Sequence, residues 1–211
     1  MKSEYSAKQL QLLDTAELLF SQKGFEGTSV RDIAEEAGIN TAMISYYFGS
    51  KEKLMEAIFE RRSLNIKEKV DLLLKDASLD PFQKIFSLLD DYIDKIMQRK
   101  KFHRIMLCEQ VINQNPTIVG MMAKMKARNS SSINDLIRLG QKKGLFKKNV
   151  DIPMLMNTLV GTITHILVNL EFYKSFHNLE SLSGEEFERV LKKKLSVHIK
   201  IIFKAILSNE S

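Results

Sequence analysis

Four of the chain's nine glycines fall within residues 24–53, GFEGTSVRDIAEEAGINTAMISYYFGSKEK. They cut an apolar pattern into pieces too short for long helices. Ser29 can cap a helix N-terminus, Thr28 being an alternative, and Asp32 three residues on resembles a capping box. Val30, Ile33, Ala34 and Ala37 then share one face, and Gly38 stops the helix. Asn40 or Thr41 caps a second short helix, which turns Ile44 and Phe48 inward. Gly49 ends that helix, and Ser50 caps a longer one from Lys51. A small residue where two helices cross (Ala34), a residue tolerant of positive φ in the turn (Gly38) and a branched residue six positions later (Ile44) match a helix-turn-helix over about 29–48. The same residues also suit a generic helical hairpin.

The rest of the 211 residues holds only three prolines and few further glycines, which excludes a fold with many β-turns. The periodicity predicts helices over 6–22, 51–77, 81–98, 102–113, 116–143, 153–176 and 184–207. Together with the two short helices this is an all-α chain of about nine helices. We expect a three-helix domain over residues 4–62 and a larger helical bundle over 63–211.

Charge restricts the functional reading. The net charge is +6, yet residues 1–62 hold eight Lys and Arg against ten Asp and Glu, a balance of −2. The remainder holds 24 basic and 16 acidic residues, or +8. Any nucleic-acid contact by the first domain therefore rests on local geometry, with few phosphate contacts and a shallow salt dependence. The single cysteine, Cys108, excludes an internal disulfide and suits a reducing compartment. The N-terminus is amphipathic and acidic, unlike a signal peptide, and no apolar run is long enough to span a membrane. These features predict a cytoplasmic protein without a membrane partner. No paired carboxylates, nucleophile–base pair, metal-ligand set or Gly-rich phosphate loop is present, so we expect neither an enzyme nor a cofactor.

The lead-in G-F-E-G-T-S, the turn I-A-E-E-A-G, the exit Y-Y-F and the helix start S-K-E-K-L together resemble the DNA-binding domain of the TetR family of bacterial transcriptional regulators. The resemblance covers about residues 6–60. It implies a second helix that enters the DNA major groove as a recognition helix. Thr41, Ala42, Met43, Ser45, Tyr46 and Tyr47 are its expected exposed residues. Thr41 and Ser45 can bond base edges or phosphates, and Ala42 and Met43 can touch a thymine methyl. Tyr46, Tyr47 and Lys51 are placed for phosphate, as are Thr28, Ser29 and Arg31 at the preceding helix. Many family members carry Lys-Gly where this chain has Thr41-Ala42, which removes one common contact.

In the predicted bundle, Thr158, Thr162, His165 and Asn169 form one polar stripe with Gly161 beside it. Buried polar groups need partners. A ligand, the same helix of a second subunit, or satisfied core contacts would each serve. Phe102, Met106, Met121, Met122 and Met125 suit an adaptable apolar pocket, or simply a core. The resemblance implies an effector cavity and a homodimer formed through helices 153–176 and 184–207. The expected function is a repressor that binds a palindromic DNA operator as a dimer and is released by a small apolar or amphipathic effector. A DNA-binding protein controlled by a protein partner, without an effector, is the alternative.

Overall fold

The computed structural model describes residues 5–62, 66–113 and 115–209. Among them are eleven α-helices, one π-helical turn and an isolated β-bridge between Phe146 and Ser208. The helices are α1 (Ala7–Lys23), α2 (Val30–Glu36), α3 (Thr41–Phe48), α4 (Lys51–Arg62), α5 (Ile66–Lys75), α6 (Pro81–Gln98), α7 (Lys100–Cys108), α8 (Pro116–Lys142), α9 (Ile152–Val168), α10 (Leu170–Phe176) and α11 (Gly184–Leu207). The all-α architecture expected from the sequence is observed.

The described residues form two compact units. One holds residues 5–62 together with 99–126, and the other 66–98 with 127–209. The sequence suggested a division at 62/63, but α7 and the start of α8 pack with the N-terminal helices. The cause is an apolar seam. Phe102 stands edge-on to Phe59 with ring centroids 5.1 Å apart, and Ile105, Ile118 and Met122 join the cluster of Leu12, Phe20, Ile33, Ile44 and Ile58. Burying each such side chain stabilises the unit by roughly 1.5–3 kcal/mol.

Within this first unit α1 begins at a capping box in which Ser6 and Gln9 exchange hydrogen bonds of 2.9 and 3.3 Å. It ends at Gly24, whose φ of 75° only glycine adopts without strain. After α7 the chain takes a π-helical turn over Glu109–Asn113, where one continuous helix to 113 had been expected.

The second unit is built on α6 and α11. Ile85, Leu89, Ile93 and Ile96 of α6 share its core with Leu191, Leu195, Ile199 and Phe203 of α11. The α11 stripe differs from expectation after Leu195. It continues through Ile199, Phe203 and Leu207, while His198 and Ile206 are exposed. Steps of four residues drift around the helix and follow a neighbour that crosses it at an angle. The polar edge carries Lys200 and Ser196 of α11 on the Asp90 carboxylate, at 2.5 and 2.6 Å. Lys84 is buried and donates to the Leu73 and Asp76 carbonyls at 2.5 and 2.6 Å, closing the C-terminal end of α5.

Of two predicted long helices, one falls partly outside the described residues and the other is broken. Helix 51–77 is represented by α4 and α5, with residues 63–65 outside the described residues. Helix 153–176 is broken at Asn169 into α9 and α10, which are bent by 78°. The Asn169 side chain donates back to the His165 carbonyl at 2.8 Å, and its backbone leaves the helical region at φ −110°, ψ 32°. Asparagine competes with helix in this way, by offering the backbone a local partner. No single described helix is long and apolar enough to cross a membrane.

Candidate nucleic-acid interface

The turn between α2 and α3 has the geometry that its residues require. Gly38 adopts φ 65°. The Gly38 amide donates to the Glu35 carbonyl and the Ile39 amide to the Ala34 carbonyl, each at 3.0 Å. These are the two bonds of a Schellman motif, which satisfies the last carbonyls of α2. Ala34 and Ile44 are buried where the two helices meet. Asn40 caps α3 by accepting the Ala42 amide at 2.9 Å.

α3 thereby turns Thr41, Ala42, Ser45 and Tyr46 to solvent. Tyr46 is 80% exposed, unusual for so large a ring. Met43 and Tyr47 are half-buried, and Tyr47 packs on the core with its ring 5.3 Å from Tyr46. At the start of α2, Ser29 and Arg31 are exposed. Ser29 and Asp32 form a full capping box, with bonds of 2.7 and 3.1 Å. The Ser29 amide, and after it the Ser29 hydroxyl, hold the Asp32 carboxyl below the usual carboxylate range. The acid therefore stays ionised near the helix N-terminus, where negative charge is favoured.

Two residues read from the sequence as phosphate contacts are placed otherwise. Thr28 is fully buried, and its hydroxyl donates to the Gly24 carbonyl at 2.8 Å. Lys51 folds inward. Its Nζ donates to the Phe25 and Thr28 carbonyls at 3.0 and 3.2 Å and lies 4.2 Å above the Phe25 ring. Both side chains organise the 24–29 turn. Two nearby residues had no sequence signal of their own. A Cβ on Gly27 would lie 2.2 Å from the Lys23 carbonyl oxygen, so no side chain fits there. Glu109, on the π-turn, accepts the Phe25 amide at 3.1 Å while fully buried. That partner lies 84 residues away, and a bond to backbone leaves no pattern in the sequence.

The predicted pocket residues fall into two groups, one packed in a core and one along α9. Phe102 and Met122 are buried in the first unit's core, Met106 and Met121 pack against it, and Met125 is half-buried. Thr158, Thr162 and Asn169 are half-buried and His165 is exposed, on a flank of α9 beside its buried Leu155, Leu159 and Ile163. Their polar groups are already served. Thr158 donates to the Met154 carbonyl at 3.0 Å and Thr162 to the Thr158 carbonyl at 2.7 Å, and the Asn169 amide contacts His165. The stripe therefore creates no need for a ligand, because each hydroxyl finds the carbonyl four residues back. Exposed Gly161 lies on the same side.

The second unit encloses a different void of about 20 Å³, close to the volume of one water. Ile66, Ile85, Leu89, Tyr92, Leu155 and Phe203 are among its walls, and none of the nine predicted pocket residues is. Among the described residues, no group of three or more His, Cys, Asp or Glu side chains is placed to hold a metal.

Residues 12–58 match the family model of bacterial regulatory proteins, tetR family. The chain is 30% identical over 149 residues to NicS, an HTH-type transcriptional repressor of Pseudomonas putida, covering 67% of this chain and 66% of that protein. It is 42% identical over 53 residues to the HTH-type transcriptional repressor KstR2 of Rhodococcus jostii, and this match spans about a quarter of each (25% and 26%). The fold superposes on the ketosteroid transcriptional regulator KstR2 of Mycobacterium tuberculosis with a TM-score of 0.69 at 18% identity, covering 98% of both chains. The Schellman turn that presents α3 falls inside the matched segment, and with these likenesses it identifies the chain as a member of the TetR family of DNA-binding transcriptional regulators.

Proposed function

We propose that the chain is a repressor that binds a palindromic operator as a homodimer and is released by a small apolar or amphipathic effector. The observation that carries the DNA reading is the surface of α3. Thr41, Ala42, Ser45 and Tyr46 face solvent together while Ile44 anchors the helix from behind. Thr41 and Ser45 suit base edges or phosphate oxygens, and Ala42 suits a thymine methyl. Ser29 and Arg31 at the start of α2 suit phosphate. Among the relatives, NicS and the Rhodococcus KstR2 are named as repressors.

The homodimer reading rests on α9, α10 and α11. Met154, Val168, Phe172, Phe176, Val197 and Ile201 are each more than half exposed. An apolar face of that extent is covered in a stable soluble protein. One α3 reads few bases, and two copies related by a twofold axis read a palindrome.

The effector reading rests on the void. Its walls, Ile66, Leu89, Tyr92 and Phe203 among them, turn only apolar surface toward it. Such walls suit the apolar part of a small molecule. A ligand larger than one water must widen the space, and that demand links binding to a change of conformation. The small volume also favours a second reading, a DNA-binding protein that answers to a protein partner and needs no effector.

Selection from a random-sequence duplex library by the full-length chain tests the DNA reading. The expected result is an inverted repeat bound by two copies. A library with no enriched sequence overturns that reading. Thermal shifts against a panel of apolar and amphipathic small molecules separate the two modes of control. A hit that also releases the selected duplex supports the effector, and stabilisation without release excludes that hit as one.

A further inference from the structure

The two peptide groups of Phe25 are held from opposite sides. Its amide donates to the buried Glu109 carboxylate at 3.1 Å, and its carbonyl accepts from the Lys51 ammonium at 3.0 Å. Its ring is fully buried, 5.3 Å from the Phe20 ring and beneath the Lys51 Nζ. Next to it, Asn115 Nδ2 donates to Glu26 Oε1 at 2.7 Å. Asn115 also caps α8 through the Thr117 and Ile118 amides, at 3.1 and 3.3 Å. Glu109 and Asn115 thus hold two consecutive residues of the 24–29 turn.

That turn is short and stiff. The Thr28 hydroxyl ties it to Gly24, Gly27 passes against Lys23, and Ser29 opens α2 directly after it. A shift at Phe25 is therefore carried into α2 and, through the Schellman turn, into α3. A fully buried side-chain oxygen that accepts a backbone amide is a directional tether, because losing it leaves that amide unpaired away from water. The π-turn supplies its aim. A single i→i+5 turn rotates the residues that follow it, and such turns recur at functional positions.

We propose that Glu109 is a positioning residue for DNA reading. By holding the Phe25 amide it fixes the start of α2 and so the pose of α3. This rests on the DNA reading above and names the control of that same site.

The test uses the full-length chain and the duplex that the wild type selects from the random library. Glu109→Met keeps the side-chain length and removes the acceptor. It is expected to weaken binding about tenfold while far-UV circular dichroism is preserved. Glu109→Gln retains an oxygen toward Phe25 and is expected to bind within about threefold of wild type. Equal binding by wild type and Glu109→Met overturns the proposal and leaves the DNA reading standing. A library that yields no enriched sequence overturns both. If Glu109→Met does not fold, amide exchange decides on the wild type. The Phe25 amide is expected to be protected in the free protein and to gain protection on the duplex. Exchange as fast as in the unfolded chain, or no change on binding, overturns the proposal.

Discussion

Arg62 Nε donates to Glu17 Oε2 at 2.7 Å, tying the last turn of α4 to the middle of α1. The Glu17 side chain is only 5% exposed and that of Arg62 28%. The same guanidinium reaches Asp14 at 3.1 Å, and the Arg62 carbonyl accepts from Arg99 at 2.7 Å. Removing Arg62 strands a buried carboxylate. Arg62→Met should therefore lower stability by about 2 kcal/mol, less than for a fully buried pair because one partner meets water. Urea denaturation of the two proteins measures the difference.

Gly140 has no room for a methyl group. An added Cβ would lie 2.1 Å from Cδ2 of Phe146, whose ring is buried and packs on Phe82 at 4.8 Å. Gly140→Ala must displace that ring, at a cost of about 1–3 kcal/mol. Gly120, with nothing within 4 Å of an added Cβ, is the control. Gly120→Ala should be neutral or slightly stabilising, since it removes a flexible residue from α8. Paired thermal melts separate the two.

Tyr46 and Tyr47 are adjacent in sequence but differ in what they support. Tyr46→Ala should leave stability within about 0.5 kcal/mol and weaken binding to the selected duplex about tenfold. Tyr47→Ala should lower stability as well, because its ring packs on the first unit's core. If Tyr46→Ala binds like wild type, Tyr46 is not at the DNA surface. Fluorescence anisotropy gives the affinity and chemical denaturation the stability.

His103 has a pKa held below its ordinary value of 6.5 by burial. Folding thus disfavours its protonated form, and the unfolded chain binds more protons below about pH 6.5. The contribution of His103 to stability is intact above that pH and falls as the pH drops beneath it. Between about pH 7 and 5 the wild type should lose stability more steeply than His103→Gln, as read from denaturation midpoints across that range.

Legibility followed distance along the chain. Ser29, Asp32, Gly38 and Asn40 each act within a few residues, and their caps and turns could be read directly. Where a side chain's partner lies far away, the pattern was silent or misleading. Lys51 looked like a surface cation because nothing in the sequence shows that two carbonyls of the 24–29 turn lie within its reach. Thr158 and Thr162 looked like polar groups in need of partners, and their own helix supplies them. Helix 153–176 looked continuous because Asn169 fitted the stripe, whereas its side chain ends α9. Packing of Phe102, Ile105, Ile118 and Met122 with the N-terminal helices includes the meeting of Phe59 and Phe102, a contact that periodicity does not encode.

The reading unit is discontinuous in sequence, and this limits how it can be moved between proteins. A cassette cut after residue 62 would carry α1 to α4 but leave behind Phe102, Ile105, Ile118 and Met122, and with them Glu109 and Asn115. A chimaera built on that cut would begin with a bare flank along α1 and α4 and a turn released on one side. Recombination that preserves DNA reading must therefore exchange two separated stretches together, or draw both from parents whose residues at this seam already fit each other.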